Sequence, residues 1–330
     1  RNVDFPENDQ DIVIIKADGL PTYHFAHAVD DHLMRTTIVI RSDEWLSSVP
    51  LHLQLFHELG FKAPKYAHIS PIMKNDNGNK RKLSKRKDPE AAVSYYKEEG
   101  IPVNAVKEYL LNIANSTFEN WRRANPDRDM DEFDFQLNKM SVSGALFDMI
   151  KLLDIGKTVI SKMTAEEVYE NSLNWAKEYD NELFEMLQDK EYSLKIFGIE
   201  RGNKKPRKDI SKWADVKNSI IYMYDNKFLD SEVSYDYGKI SDKEKVNKLL
   251  KDYIEKYFDI QDDKETWFNK IKDLAEANGY AREVKEYKAE PEKWPGHVGD
   301  ISTVLRVKLT GRQNTPDMYE IMQVLGKDSV

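Results

Sequence analysis

The sequence contains no cysteine at any of its 330 positions, and this absence limits its chemistry. Disulfide bonds and zinc sites built from thiolates are both excluded. Hydrophobic runs of about 20 residues, the length that a membrane-spanning helix needs, are also missing. Glycine is scarce, with 14 residues, and the sequence shows neither a glycine-rich phosphate loop nor a Ser/His/Asp triad pattern. With 40% hydrophobic and 33% charged residues, the composition is typical of a globular protein of about two or three domains, which we expect to be cytoplasmic.

Positive charge is concentrated in two short segments of an otherwise acidic chain. The formal net charge is −8, yet residues 74–88 hold seven Lys and Arg against two Asp. Residues 80–87 read KRKLSKRK, and residues 201–208 read RGNKKPRK with five further cations. Basic segments are most often solvated surface, but they also suit ligands that carry phosphate. Charge alone leaves both interpretations open for each segment.

Hydrophobic periodicity predicts an α/β arrangement in the first quarter of the chain. Short hydrophobic runs at 11–16, 36–41 and 69–73 are typical of buried strands. Helical patterns follow Pro21 and Pro50, between these runs. Strands that alternate with helices predict a parallel sheet covered on both faces.

Beyond about residue 90 the strand signal fades and helical patterns dominate. An NDNG sequence at 75–78 predicts a turn that leads into KRKLSKRK. A capping-box pattern at 164–167 predicts the start of a long helix. The predicted helices lie at 102–115, 164–187, 215–225, 241–258, 264–278 and 315–325.

The KRKLSKRK segment belongs to a set of motifs that resemble one enzyme family. KLSKR at 82–86 resembles the second signature of class I aminoacyl-tRNA synthetases, whose common form is KMSKS. Three upstream blocks resemble bacterial-type glutamyl-tRNA synthetases in the same order and spacing: DGLPTYHFAHAVDDHLM at 18–34, VIRSDEWLSSVPLH at 39–52 and KYAHISPI at 65–72. The segment TVLRVKLTGRQNTPDMYEIMQVLG at 303–326 is similar to the anticodon-binding end of that family. Four collinear blocks over about 70 residues are far more specific than a five-residue signature.

The resemblance implies a multidomain fold, α/β plus all-α. A partial Rossmann-type parallel sheet is followed by helical connecting and anticodon-binding domains. Residues 1–78 would be the C-terminal half of the Rossmann catalytic domain, and 79–163 a connecting (stem-contact) domain that carries KLSKR. Residues 164–245 and 246–330 would be two helical anticodon-binding subdomains. The family's first signature, HIGH, would precede Arg1, so we expect a C-terminal fragment that is inactive alone.

The resemblance also implies a reaction and its partners. Glutamate and ATP, with Mg²⁺ as part of the substrate complex, would give glutamyl-adenylate, and tRNA(Glu) would receive the glutamyl group. An alternative acceptor is tRNA(Gln). We expect a monomer that binds neither DNA nor membranes and has no zinc in this part of the chain. Two other functions stay open, namely a stand-alone tRNA-binding module without catalysis and a glutaminyl-tRNA synthetase.

The resemblance assigns glutamate binding to Tyr23, His27 and Arg41, and it places Trp45 beside the amino-acid and ATP site. Arg41 follows a hydrophobic run, at the end of a predicted strand, where open α/β sheets bind ligands. A guanidinium suits a carboxylate because it can form two parallel hydrogen bonds with it. The resemblance therefore predicts Tyr23, His27 and Arg41 as glutamate-binding residues and Trp45 as an ATP-binding residue.

The signature itself supplies the predicted catalytic residues Lys82, Ser84 and Lys85. Lys82 and Lys85 would also bind ATP, since ammonium groups can stabilise a triphosphate as pyrophosphate leaves. Clustered cations are an efficient source of affinity for RNA phosphates. The predicted tRNA-binding residues are Arg201, Lys204, Lys205, Arg207, Lys208 and Arg312.

Other residues have less specific interpretations. His24, His27 and Asp31 stand at helical spacing and could form a metal-binding face, which we do not favour because the HxxH pattern is common. Trp213 could stack on an unpaired base, although core burial is the more frequent role of tryptophan. Three histidines are interpreted as packing or hydrogen-bonding residues: His52, His57 and His68.

Overall fold

The computed structural model describes residues 6–141, 143–204, 206–229 and 233–330. The chain forms two compact units. The first consists of Arg1–Tyr95 and Val106–Leu152, and the second of Tyr96–Ala105 and Leu153–Val330. The four strands of the described part lie in the first unit, and the second unit is helical. The predicted change from an α/β part to a helical part is therefore confirmed.

The first unit begins with alternating helices and strands. Its elements are α1 (Tyr23–Leu33), β1 (Ile38–Ser42), a 3₁₀ helix (Asp43–Ser48), α2 (Val49–Glu58) and β2 (Lys65–Ile69). Strands β1 and β2 pair in parallel, and their register sets Arg41 opposite His68. Helix α1 packs on α2, with Ala28 and Phe56 buried between them. This arrangement brings the ends of two parallel strands beside the 3₁₀ helix.

A hairpin follows the parallel pair. Strands β3 (Met73–Asp76) and β4 (Asn79–Lys82) are antiparallel, and the turn between them is Asn77-Gly78. Both turn residues have positive φ, 52° and 88°, which asparagine and glycine tolerate best. The predicted turn is thus confirmed, and it delivers Lys82 to the start of the KLSKR loop.

Two of the predicted strands differ from the structure. Residues 11–16 form no strand, and their main pairing is a single bridge between Ile15 and Pro21. The predicted strand at 69–73 is divided, since Ile69 ends β2 and Met73 begins β3. Pro71 lies between them, and proline has no N–H with which to continue a ladder.

Strand β1 is present as predicted, but it is not buried. Ile38 and Ile40 are 47% and 54% exposed. Within the described residues, β1 has a ladder with β2 only, so one of its edges is uncovered. The β-branched pattern thus predicted the strand correctly, but it did not predict how exposed the strand is.

The chain continues through a series of helices. These are α3 (Val93–Glu98), α4 (Val103–Ala114), α5 (Phe118–Ala124), α6 (Met149–Ser161), α7 (Ala165–Tyr179), α8 (Asn181–Met186), α9 (Lys190–Gly198), α10 (Val216–Ile220), α11 (Asp225–Leu229), α12 (Lys243–Asp252), α13 (Lys264–Ala277), α14 (Val284–Ala289), α15 (Val298–Thr310) and α16 (Met318–Leu325). In the ranges that the structure describes, no helix has both the length and the hydrophobicity needed to span a bilayer.

The second unit has two hydrophobic clusters. The first includes Leu183 and Leu187, and the second includes Ile271 and Ile301. Trp213 belongs to the first cluster and is only 6% exposed, so its indole is a core group and not an open stacking surface.

Local sequence signals place some helix ends correctly and miss others. The predicted capping box is confirmed: Thr164 Oγ1 accepts a bond from the Glu167 backbone N–H at 3.1 Å, and Glu167 Oε2 accepts one from the Thr164 N–H at 2.8 Å. The predicted helix to residue 187 is interrupted at Asp180. Its carboxylate accepts a bond from the Leu183 N–H at 3.1 Å and so begins α8.

Helix α6 makes one unusually close approach inside the second unit. At Gly156 its backbone lies against the segment around Ser211. A β-carbon at position 156 would be 2.2 Å from the carbonyl oxygen of Ser211. Only glycine fits this contact without a shift of the backbone.

Candidate active site

Arg41, near the end of β1, is the centre of a cluster of neutral hydrogen-bond acceptors. Its Nε donates to His68 Nε2 at 3.2 Å, and its Nη1 donates to His52 Nδ1 at 3.0 Å. Its Nη2 donates to the backbone oxygen of Trp45 at 3.3 Å. A guanidinium has five N–H groups. Two of them, one on each terminal nitrogen, therefore have no acceptor among these three.

The positive charge of Arg41 is not paired with an acidic side chain. In the part of the chain that the structure describes, no carboxylate oxygen lies within 4.0 Å of its guanidinium. The flat faces of the cation meet aromatic rings instead, with Cζ 4.8 Å from the ring centre of Tyr66 and 5.9 Å from that of Trp45. Aromatic faces stabilise a cation without neutralising it. An anion that reaches this site would find a fixed and uncompensated positive charge.

His52 connects Arg41 to helix α1. Its side chain is fully buried, and its Nε2 lies 2.9 Å from His24 Nδ1. Since a guanidinium can only donate, His52 Nδ1 must accept from Arg41, and its proton must sit on Nε2 and point to His24. Burial, together with the nearby His27 and Arg41, lowers the pKa of His52 to about 3. His52 is thus a neutral imidazole across the physiological pH range.

This lowered pKa predicts a pH-dependent stability. The unfolded chain takes up a proton at His52 near pH 6.5, whereas the folded chain does so only near pH 3. Between these values the unfolded state binds more protons, so stability must rise with pH. We expect the free energy of unfolding, measured in urea, to fall by about 1–2 kcal/mol from pH 7 to pH 5. The His52→Gln variant should show a clearly flatter profile, and an unchanged slope would contradict this explanation.

Tyr23 and His27, on helix α1, complete the cluster. The Tyr23 ring stacks on His27 with centroids 5.8 Å apart and planes 7° from parallel, and its centroid is 4.4 Å from that of Trp45. His27 Nδ1 is 2.5 Å from an Asp31 oxygen, and His27 Nε2 is 2.9 Å from the Tyr66 hydroxyl. Burial lowers the pKa of His27, against the opposing effect of Asp31. The structure therefore brings the three predicted glutamate-binding residues together with Trp45, the predicted ATP-binding residue.

The arrangement of these groups does not form a metal face. His24 is bonded to His52, and His27 lies between Asp31 and Tyr66. Among the residues described, no three His, Asp or Glu side chains converge as a metal site would require.

The buried carboxylate of Asp88 anchors the KLSKR loop (residues 82–86), which is also called the signature loop. Asp88 is 2% exposed, and its carboxylate accepts two bonds from the Arg81 guanidinium, at 2.6 and 2.8 Å. It also accepts the backbone N–H of Ser84 at 2.8 Å and lies 3.1 Å from Lys74 Nζ. The bonds from Arg81 hold the pKa of Asp88 well below its usual range. Arg81 is thus a structural residue of the loop, a role that the run of charges does not reveal.

The two signature lysines extend from this fixed backbone. Lys82 Nζ lies 2.6 Å from Glu44 Oε2, and both side chains are about half exposed. Lys85 is exposed, and no described residue forms a hydrogen bond or an ion pair with its ammonium group. The Ser84 carbonyl accepts from Lys87 N and Asp88 N at 3.0 and 2.8 Å, which closes a tight turn. The loop therefore presents two ammonium groups from a hydrogen-bonded turn.

Removing the charge of Asp88 should loosen this loop. In Asp88→Asn the side chain keeps one oxygen acceptor but loses the charge that binds Arg81, so we expect several-fold faster tryptic cleavage after residues 82–87. The matched control is Asp76→Asn, because Asp76 also accepts from Arg81, at 2.7 Å, but is exposed. Equal cleavage rates in the two variants would contradict an anchoring role for Asp88.

The basic segment at 201–208 has mixed roles. Arg201 donates to three backbone carbonyls, those of Phe197 at 2.8 Å and of Ile160 and Met163 at 2.9 Å. Burial lowers its pKa. These contacts make Arg201 a clamp within the second unit. Lys204 is exposed, and Lys205 lies outside the described residues.

Arg207 and Arg312 line one cavity of about 270 Å³, together with Arg201 and Tyr222. Arg207 donates to both carboxylate oxygens of Asp209, at 2.6 and 3.0 Å. The Arg312 guanidinium lies 5.9 Å from the Tyr222 ring centre. The structure thus brings three of the predicted tRNA-binding residues to one concave surface, although Arg312 is more than 100 positions from Arg201 and Arg207 in the sequence.

Lys208 is not among the residues that line this cavity. Its Nζ donates instead to Thr158 Oγ1 at 2.9 Å.

Known families match both ends of the chain. The catalytic domain of class I tRNA synthetases (E and Q) matches residues 2–154, and an anticodon binding domain matches residues 293–330. The glutamate–tRNA ligase of Clostridium perfringens is 54% identical over 331 aligned positions, which cover 99% of this chain and 60% of that protein. The glutamate–tRNA ligase of Sorangium cellulosum is 49% identical, with the same coverage. The chain belongs to the glutamyl-tRNA synthetase family.

A solved glutamyl-tRNA synthetase has the same fold. The crystal structure of a glutamate tRNA ligase from Elizabethkingia meningosepticum, in complex with its amino acid, matches with a TM-score of 0.67 and 26% identity. The match covers 96% of this chain and 59% of that one. The chain spans about 60% of the length of the curated relatives it matches. The predicted family and fold class are confirmed.

Sequence reasoning missed part of the cluster around Arg41. His52 and His68 were interpreted only as packing or hydrogen-bonding residues, and Tyr66 was not singled out. All three contact Arg41. The parallel register that sets His68 opposite Arg41 is the signal that could have found one of them, because residues opposite each other on adjacent strands are close in space.

Proposed function

We propose that this chain supplies the amino-acid site, the signature loop and tRNA-binding surface of a glutamate–tRNA ligase. The observation that carries the proposal is Arg41, a cation held by neutral groups with two N–H groups left for a carboxylate. Part of the proposal is a set of four domains with boundaries after residues 78, 163 and 245. The helical domains would bind the tRNA, and the family match to an anticodon binding domain at 293–330 supports this.

Glutamate has two carboxylates, so one can be held while the other reacts. Arg41 would bind one of them through two charge-assisted hydrogen bonds. Tyr23 and Trp45, whose rings are in contact, would form an aromatic wall beside the substrate, and His27 would line the same pocket. Such positioning lowers the activation barrier of the reaction, because the reacting carboxylate is already held in the orientation that the attack requires.

The signature loop would act on the nucleotide. The reacting carboxylate oxygen attacks the α-phosphorus of ATP, which enters with its Mg²⁺, and the bond to the bridging oxygen breaks as pyrophosphate leaves. Negative charge grows on the departing oxygens, and Lys85, whose ammonium group is exposed, would stabilise it. Lys82 would exchange Glu44 for a phosphate oxygen. Ser84 would keep the turn between the two lysines through its backbone bonds.

The second step would transfer the glutamyl group to a ribose hydroxyl of the bound tRNA, with release of AMP. Arg207 and Arg312 would meet the tRNA at the cavity they line, and Lys204 and Lys208 would add phosphate contacts from the exposed segment. The same cavity and basic segment would determine whether tRNA(Gln) also receives the glutamyl group.

A hybrid enzyme tests the catalytic proposal. In the hybrid, this chain replaces the matched 60% of the Clostridium perfringens relative. We expect ATP-dependent glutamylation of tRNA(Glu), and we expect the Lys85→Ala hybrid to lose about 100-fold or more in kcat. Lys190→Ala, which removes an ammonium group from helix α9 of the second unit, is the control. A folded hybrid that charges no tRNA would contradict the proposal.

A stand-alone tRNA-binding module is the second candidate, favoured by the basic segment and the arginine-lined cavity. Titration of the chain with tRNA(Glu), tRNA(Gln) and an unrelated tRNA at two salt concentrations separates the outcomes. Salt-dependent binding without charging by the hybrid would support the module. Equal affinity for all three tRNAs would contradict anticodon recognition.

A further inference from the structure

The groups that hold Arg41 share one property. His52 and His68 offer unprotonated ring nitrogens, and Trp45 offers a backbone carbonyl, so every acceptor is uncharged. Arginines inside proteins commonly bind a carboxylate of their own chain, since charge-assisted pairs are the strongest hydrogen bonds available. In this site, two histidines and no described carboxylate accept hydrogen bonds from the arginine.

We propose that His52 and His68 are positioning residues that orient the Arg41 guanidinium and leave its charge available to a carboxylate ligand. The inference rests on the proposed function only for the identity of that ligand, glutamate. Each imidazole fixes one edge of the planar cation, His68 at Nε and His52 at Nη1. Together with the Trp45 carbonyl, these two bonds fix the plane of the guanidinium and leave one N–H group on each terminal nitrogen for a ligand.

A carboxylate in place of either imidazole would orient Arg41 equally well, but it would weaken the binding of an anionic ligand. It would neutralise the cation and compete directly with the ligand, because both would be anions bound to the same group. A neutral acceptor avoids this competition. Histidine suits the task because its ring is rigid and its second nitrogen can be fixed by another residue, as His24 fixes His52.

The surroundings of both imidazoles keep them uncharged. Burial lowers the pKa of His68, and Arg41 lowers it further, while Asp43 acts in the opposite direction. His52 is fully buried and has His24, His27 and Arg41 around it. A protonated imidazole could no longer accept from Arg41, so the neutral form and the observed hydrogen bonds require each other.

His68 is the better position for a test, since it is only partly buried and its variants should fold. His68→Gln keeps a neutral acceptor, whereas His68→Glu introduces an anion of nearly the same size. The matched control is His57→Glu, which adds the same charge to helix α2 at an exposed position. If His68 served only in folding, His68→Gln and His68→Glu variants of equal thermal stability would bind the ligand with equal affinity.

Binding of L-glutamate to the full chain, followed by calorimetry, gives the first readout. We expect His68→Gln to bind within about threefold of wild type, His68→Glu at least about tenfold more weakly, and His57→Glu like wild type. Equal affinity of folded His68→Gln and His68→Glu would overturn the inference and leave the proposed function intact.

Nuclear magnetic resonance of the Arg41 side chain gives a readout that needs no ligand. We expect a protected Arg41 Nε–H in wild type and His68→Gln, and loss of this protection in His68→Ala. If wild type binds no L-glutamate but shows this dependence, the proposed ligand is wrong and the positioning role is supported. Equal protection in wild type and His68→Ala would overturn the positioning role whatever the ligand is.

Discussion

Replacing Arg41 by alanine should raise the KM for glutamate of the hybrid enzyme roughly a hundredfold. Two charge-assisted hydrogen bonds to a carboxylate are lost, which together are worth about 3 kcal/mol. Arg41→Lys should recover little of the loss, because an ammonium group has three N–H donors and cannot bond His52 and His68 while also giving a carboxylate two hydrogen bonds. Steady-state charging kinetics at varied glutamate concentration give the measurement.

The control for this prediction is Arg35→Gln. Arg35 is exposed and precedes β1, so the variant removes the same charge without touching the acceptors of Arg41. Thermal unfolding shows whether each variant is folded. A folded Arg41→Ala hybrid with an unchanged KM would refute the assignment of the glutamate site.

Replacing Gly156 by alanine should destabilise the second unit by about 3 kcal/mol, at the upper end of what overpacking usually costs. The added β-carbon would lie 2.2 Å from the Ser211 carbonyl oxygen, which is backbone and cannot turn away as a side chain would. Either α6 or the segment around Ser211 must move, and both pack beside the hydrophobic cluster that contains Ile160 and Trp213. Urea unfolding followed by circular dichroism measures the effect.

Gly198→Ala is the matched control. Gly198 ends helix α9, and a β-carbon there would have no atom within 4 Å. Because alanine favours the helix by up to about 1 kcal/mol relative to glycine, this variant should be neutral or slightly more stable. Similar losses in the two variants would show that the contact with Ser211 is not the cause.

Features that depend on neighbouring residues were predictable from the sequence. The Asn-Gly turn before the signature loop and the capping box at Thr164 follow from local geometry, and both are present. Arg41 could be placed at a strand end from its position after a hydrophobic run. The family resemblance then supplied the predicted glutamate-binding residues and Trp45, whose side chains the structure brings together.

Features that depend on residues far apart in the sequence could not be predicted from it. The contacts of His52 with Arg41 and His24 join β1, α2 and α1, and no local pattern encodes such a meeting. The same holds for Asp88, whose partner Arg81 looks like one more cation of a basic run. Exposure was also unpredictable, because β-branched residues mark a strand whether or not both of its faces are covered.

The anchoring of the signature loop by Asp88 has a consequence for the entropy of ligand binding. Since Arg81, Ser84 and Lys74 all converge on one buried carboxylate, the backbone of the turn is ordered before any phosphate arrives. A polyphosphate that binds here would therefore restrict mainly the side chains of Lys82 and Lys85. That ordering costs about 1.5–2 kcal/mol for each lysine, whereas fixing the backbone of six loop residues would cost several times as much.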